Sequence, residues 1–177
     1  MQTVALYHPP KTILEVYRML PEGTRAEVIN GRLYMSPAPS LGHQNVIFIL
    51  IGQFYNYTNK KKIGFVFTSP IDVFLDNRNA LQPDIVFVLN ENKSILKDDG
   101  IYGAPDLVIE VLSPGTRKFD LDKKRKIYER HGVKEYWAVD PVSKESLGYQ
   151  MKGSKFILFK QERGKLSSSL LKHTFKF

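Results

Sequence analysis

Residues 106–112 read Asp-Leu-Val-Ile-Glu-Val-Leu, which sets one carboxylate, Glu110, inside an otherwise aliphatic run. A run of this length and β-branched content belongs in the centre of a sheet. An unpaired carboxylate buried there is costly, so Glu110 requires a partner. That partner is either one of the chain's many lysines, in a buried ion pair, or a cation shared with a second carboxylate.

Two Pro-Asp steps, Pro83-Asp84 and Pro105-Asp106, each open an apolar strand and supply the candidates for that second carboxylate. Asp106 lies four residues from Glu110 on the same strand; at roughly 3.3 Å per residue the two face one way but stand about 13 Å apart. They cannot readily share one ion, and Asp106, beside a proline at a strand start, reads as a turn former. Asp84 comes from a different strand. Neighbouring strands lie roughly 5 Å apart, so Asp84 and Glu110 at matching depth can converge on one cation.

Composition narrows the chemistry. The 177 residues, 42% of them hydrophobic, suffice for one sizeable core, so a single domain over 1–177 is expected. Cysteine is absent, which excludes thiolate metal sites and favours a hard cation such as Mg²⁺ or Mn²⁺. Residues 1–11 lack a leader-like pattern and no apolar run approaches membrane length, so a soluble, cytoplasmic protein without a membrane partner is expected. The net charge of +8 comes with Lys and Arg clusters at 60–62, 117–118 and 123–126. Such a balance suits a polyanion, yet many basic proteins bind no nucleic acid, and by charge alone a solvated basic surface is the commoner reading.

Local signals outline an α/β chain. Residues 11–20 suit a short amphipathic helix. Asn30-Gly31, between β-type runs at 25–29 and 32–36, is the dipeptide of a two-residue type I′ hairpin. Ser40 can cap a helix reaching residue 61, because Val46, Ile47, Leu50, Ile51, Phe54 and Tyr57 recur at helical spacing. Runs at 64–68, 72–75, 84–89 and 106–112 are predicted to form one sheet, followed by a helix over 120–130 and a strand over 135–139. A helix between two strands implies a crossover. Beyond residue 147 the alternating pattern, with Gly153 and Gly164 as turn signals, predicts a terminal hairpin and an edge extension.

A metal-assisted phosphodiester hydrolase also needs an ammonium near the developing charge. The position two beyond Glu110 shares its face of the strand, yet it is Leu112. A lysine must come from elsewhere. Asp120, Lys124 and Tyr128, at i, i+4 and i+8, form one face of the next helix. Lys124 can therefore reach the site, whereas Lys123 and Lys126 lie on other sides and suit phosphate contact or solvent. Tyr128 can pack over Lys124 or hydrogen-bond a site carboxylate, and Tyr136 and Trp137 read as core.

Taken together, Glu27-Val-Ile-Asn-Gly31, Met35-Ser-Pro-Ala-Pro-Ser40, His43-Gln44, Gln82-Pro-Asp-Ile-Val-Phe-Val88, Gly103-Ala-Pro-Asp-Leu-Val-Ile-Glu-Val-Leu-Ser-Pro114, Asp120 with Lys124 and Tyr128, and Gly132-Val-Lys-Glu-Tyr-Trp-Ala-Val-Asp-Pro141 resemble the Uma2 family, also called DUF820. The resemblance implies a restriction-endonuclease-like α/β core: a mixed central sheet flanked by helices, with an N-terminal hairpin and a C-terminal strand extension. It also implies a divalent-metal nuclease of the PD-(D/E)XK type whose lysine has moved from the third strand to the following helix. The family pattern maps site carboxylates onto Glu27, Asp84 and Glu110 and the lysine onto Lys124, and His43 and Gln44 match as well.

Taken alone, Glu27 reads as an exposed strand residue and His43 as a capping or surface histidine. The expectation is an endonuclease acting on nucleic acid, with DNA the favoured substrate. Asp84 and Glu110, with the Val111 carbonyl, would hold Mg²⁺ or Mn²⁺, Lys124 would position water or stabilise charge, and Glu27 would support the site. A homodimer suits two-fold duplex cleavage, although nothing in the sequence requires one. The alternatives are a non-catalytic nucleic-acid-binding or assembly domain on the same fold, and a hydrolase of another phosphate ester.

Overall fold

The computed structural model describes residues 9–177; the leader-free reading of the first eleven residues falls largely outside them. Helix α1 (Ile13–Arg18) is capped by Thr12, whose side chain accepts from the Glu15 amide. Strands β1 (Ala26–Ile29) and β2 (Arg32–Met35) form the expected hairpin, paired from Ala26↔Met35 to Ile29↔Arg32. Asn30 and Gly31 turn it with φ of 51° and 76°, the two positive values that a type I′ turn demands. Ser40 caps α2 (Leu41–Lys61) by accepting from the His43 amide, and Lys62 ends it in the left-handed region at φ 52°.

The chain continues through β3 (Gly64–Thr68), β4 (Val73–Asp76), β5 (Asn79–Leu81), β6 (Ile85–Leu89), β7 (Leu96–Lys97), β8 (Gly100–Tyr102) and β9 (Leu107–Val111). It then passes through a helical segment into β10 (Glu135–Val139), and closes with β11 (Glu145–Lys152), β12 (Lys155–Arg163), β13 (Lys165–Ser168) and β14 (His173–Lys176).

The central mixed sheet has the order β12-β11-β10-β9-β6-β3. β9 lies between β6, antiparallel with Ile85↔Ile109, and β10, parallel with Ala138↔Glu110, the geometry of a helical crossover. Continuing the β6–β9 register by one residue sets Asp84 across from Glu110. Alternation splits β9 between two cores. Leu107, Ile109 and Val111 pack with Val46, Leu50 and Phe54 of α2, while Val108 and Leu112 face Ile127 and Tyr128. Glu110 shares the second of these faces. β13 and β14 form a small sheet against α2, where the Phe54 and Phe175 rings stack at 3.7 Å.

Two expectations are corrected. β4 does not join the central sheet: it lies in a second six-stranded sheet, β2-β1-β5-β4-β8-β7, with the N-terminal hairpin. β5, β7 and β8 have only two or three residues each, too few for alternation to register in the sequence. The helix after β9 is also not uniform. Phe119–Lys124 is π-helical, and α3 proper runs over Arg125–His131 to Gly132, which takes φ 83°. The terminal hairpin, β11 with β12 turning at Gly153, extends the sheet edge as expected. Among the described residues no helix is long and apolar enough to cross a membrane.

Candidate active site

Five segments deliver side chains to one place. Glu27 comes from β1, His43 from the first turn of α2, Asp84 from the residue before β6, Glu110 from β9, and Asp120 and Lys124 from the π-helical segment. They line a cavity of about 410 Å³ whose mouth is framed by residues 34–40 and 113–116.

Lys124 is its hub. Nζ lies 2.8 Å from Glu27 Oε1, 3.2 Å from Glu110 Oε1 and 3.4 Å from Asp120 Oδ1, the last an ion-pair contact without hydrogen-bond alignment. The Tyr128 hydroxyl, from α3, donates to the same Glu110 Oε1 at 2.9 Å. Glu27 Oε1 also accepts from the Gln82 amide at 2.8 Å. Asp84 is held through one oxygen as well: Oδ2 accepts from the Val111 amide at 2.7 Å and lies 3.2 Å from His43 Nε2. The second oxygens of Asp84 and Glu110 have no hydrogen-bond partner among the described residues.

The charge balance is unusual. Glu27, Asp84, Glu110 and Asp120 are all buried, at 8%, 7%, 3% and 2% exposure, against the single ammonium of Lys124 at 4%. Burial therefore pushes the Glu110 carboxyl well above the usual range; Lys124 opposes that, and Asp120, Asp84 and Glu27 reinforce it. Asp120 is raised for the same reason. For Lys124, burial works to lower the pKa, but Glu110, Glu27 and Asp120 outweigh it and hold the ammonium well above its ordinary value. Burial and the neighbouring Glu110 likewise keep the Tyr128 hydroxyl protonated.

Of the residues expected in a site, the fold brings together Glu27, His43, Asp84, Glu110, Lys124 and Tyr128, and sets the Val111 amide on Asp84. Gln44 is not among them. It is exposed, and its amide closes the first turn of α2 on the Ser40 carbonyl. The readings of Glu27 and His43 from local context alone, as surface residues, are overturned, since both are buried. Asp106 is structural: it accepts from the Leu89 amide and Asn92 and pairs with Lys134 at 2.8 Å. Lys123 turns out over the Phe119 ring, and Lys126 pairs with Asp122 in solvent.

Asp120, which the sequence singles out only as part of the Lys124 face, proves to be a contact of the ammonium. One further site residue escaped sequence reasoning. Gln82 acts through its backbone amide and left no signal.

No three His, Asp or Glu side chains among the described residues stand close enough to cage a metal by themselves. The donor set fits a hard cation that keeps part of its water shell, as Mg²⁺ does when held by one or two carboxylates. Asp84 and Glu110 each keep an oxygen uncommitted beside the cavity, and the negative excess around them favours a cation.

A mixed sheet whose adjacent strand ends carry paired carboxylates, with a lysine brought in by the next helix, defines a restriction-endonuclease-like α/β protein. The family model for Uma2, described as "Putative restriction endonuclease", matches residues 13–172, and the chain belongs to that family. A crystal structure of a "putative nuclease belonging to DUF820" from Anabaena variabilis ATCC 29413 is similar in fold. Its TM-score is 0.70, covering 86% of this chain and 83% of that one at 20% sequence identity. No curated protein matches. Fold and family together support a nuclease.

Proposed function

We propose that this protein, acting as one domain, is a divalent-metal-dependent endonuclease that hydrolyses phosphodiester bonds in DNA. The observation that carries the reading is the set of four buried carboxylates around one buried ammonium, an excess of negative charge that persists when the Arg25 guanidinium lining the same cavity is counted. An excess of that kind in low dielectric calls for protons or for a further cation. Asp84 and Glu110 would hold Mg²⁺ or Mn²⁺ through their uncommitted oxygens, with the Val111 carbonyl as a third ligand. When bound, the ion supplies Lewis acidity towards the phosphodiester and the attacking water.

The chain's own residues supply the rest. Lys124 keeps its proton, so it acts as a fixed positive charge for the phosphorane and not as a general base. Glu27 steadies that ammonium, Tyr128 fixes the Glu110 carboxylate, and His43 with the Val111 amide fixes Asp84. The net charge of +8 supports a polyanionic substrate. A homodimer would offer two such sites to the two strands of a duplex.

The test is nicking of supercoiled plasmid with Mg²⁺ or Mn²⁺, against EDTA and Glu110→Ala controls and a structured RNA substrate. Wild-type protein should nick DNA and lose that activity in both controls; equal residual activity in wild type and Glu110→Ala removes the proposed site. The alternative is a non-catalytic nucleic-acid-binding domain that keeps the same fold. Plasmid binding without nicking would identify it.

A further inference from the structure

Arg25 lines the same cavity and takes no part in its ion pairs. It precedes β1, two residues from Glu27 along an extended chain, so the two side chains leave the backbone on the same side. Its carbonyl accepts from the Ser36 amide at 3.0 Å, which ties it to the 36–40 loop at the cavity mouth. Its Nε–H is buried and has no hydrogen-bond partner. No salt bridge of the described residues includes Arg25, although four carboxylates line the same cavity. Arg117, Arg125 and Arg163, in contrast, each donate to a carboxylate or a carbonyl.

The terminal nitrogens of Arg25, on a residue only half-buried, have no hydrogen-bond or ion-pair partner among the described residues either, so they are the donors free to meet an acceptor that arrives from outside. The carboxylates do not serve: none of those lining the cavity lies within ion-pair distance of the Arg25 guanidinium.

We propose that Arg25 is a substrate-binding residue whose guanidinium takes the non-bridging oxygens of a polynucleotide phosphate entering the cavity past the 36–40 loop. The planar fork of arginine matches two phosphate oxygens. Within the nuclease reading, on which this rests, it supplies the positive contact that the acidic cavity otherwise denies to an anionic substrate. Lys124, locked among three carboxylates, offers its charge to the reacting centre and leaves none for a flanking phosphate.

Two measurements test it. In ¹⁵N–¹H spectra of the arginine Nε–H groups, with Arg25 assigned by its disappearance in Arg25→Lys, a thymidine dinucleotide is titrated into full-length protein. The Arg25 resonance should shift with saturation. In parallel, a labelled duplex is bound in Ca²⁺ over a salt series. Arg25→Gln should bind about tenfold more weakly, with the slope of log affinity against log salt smaller by about one, and should keep wild-type Mn²⁺ affinity. Arg25→Lys, which retains charge without the fork, should fall between the two and guards against a folding defect in Arg25→Gln.

An unshifted resonance, or wild-type affinity and salt slope in Arg25→Gln, overturns the assignment even if the plasmid is nicked normally. The same holds if the wild-type protein binds neither probe. A shifted resonance in a protein that nicks nothing keeps the phosphate site and removes the nuclease reading.

Discussion

Lys124→Met isolates the energetics of the buried cluster. The substitution keeps the aliphatic stem and removes the one ammonium that lies 2.8, 3.2 and 3.4 Å from Glu27, Glu110 and Asp120. Breaking a buried ion pair from one side costs about 3–5 kcal/mol, because the abandoned charge stays out of water. For a chain of this size that is a fall in melting temperature of about 6–20 °C. Urea unfolding followed by fluorescence of Trp137, the sole tryptophan and fully buried, reads the loss directly.

Two companions sharpen the result. In Lys124→Met/Glu110→Gln one abandoned carboxylate is gone, so the double variant should be more stable than Lys124→Met, with a coupling of about 1–3 kcal/mol. Lowering the pH from 8 to 5 should also recover part of the loss, since Glu110, already raised by burial, then takes a proton more readily. A Lys124→Met protein as stable as wild type at pH 8, or a double variant no better than the single, would refute the claim that Lys124 neutralises this cluster.

Metal-free protein should lose stability as pH rises from 5 to 8. Glu110 has a folded-state pKa above its ordinary 4.5, so its favourable contribution is complete below that value and fades as pH climbs towards the folded one. Asp120 and Glu135 are raised too and act in the same direction. The urea midpoint should fall less steeply in Glu110→Gln; an unchanged slope would assign the effect to other groups. His43→Ala should weaken Mn²⁺ binding by about 10- to 100-fold in calorimetry, because it frees Asp84 to rotate away from the ion. Wild-type affinity in that variant would reduce the His43–Asp84 contact to packing.

Much of the site was legible in one dimension because strand geometry is periodic and local. A carboxylate inside an apolar run, and a second one opening a neighbouring run, must meet if the register allows, and Ile85↔Ile109 allows it. The turn at Asn30-Gly31 and the Ser40 cap were readable for the same reason, since each depends on the conformational preferences of one or two residues. Glu27 and His43 were not readable without a family pattern. Their burial depends on Lys124 and Asp84, partners remote in sequence, and no local preference encodes those contacts. The second sheet was hidden because its shortest strands span less than one full alternation.

Leu112 settles by itself that no lysine stands two places beyond Glu110, and the spacing of Asp120, Lys124 and Tyr128 nominates the substitute. Only the packed structure decides between Lys124 and its neighbours: Lys123 and Lys126 point to solvent, while the π-helical turn carries Lys124 inward among three acids. Only the packed structure, too, shows that those acids outnumber it. Charge balance in low dielectric belongs to the assembled cavity, where segments distant along the chain share the same few ångströms and water no longer screens them.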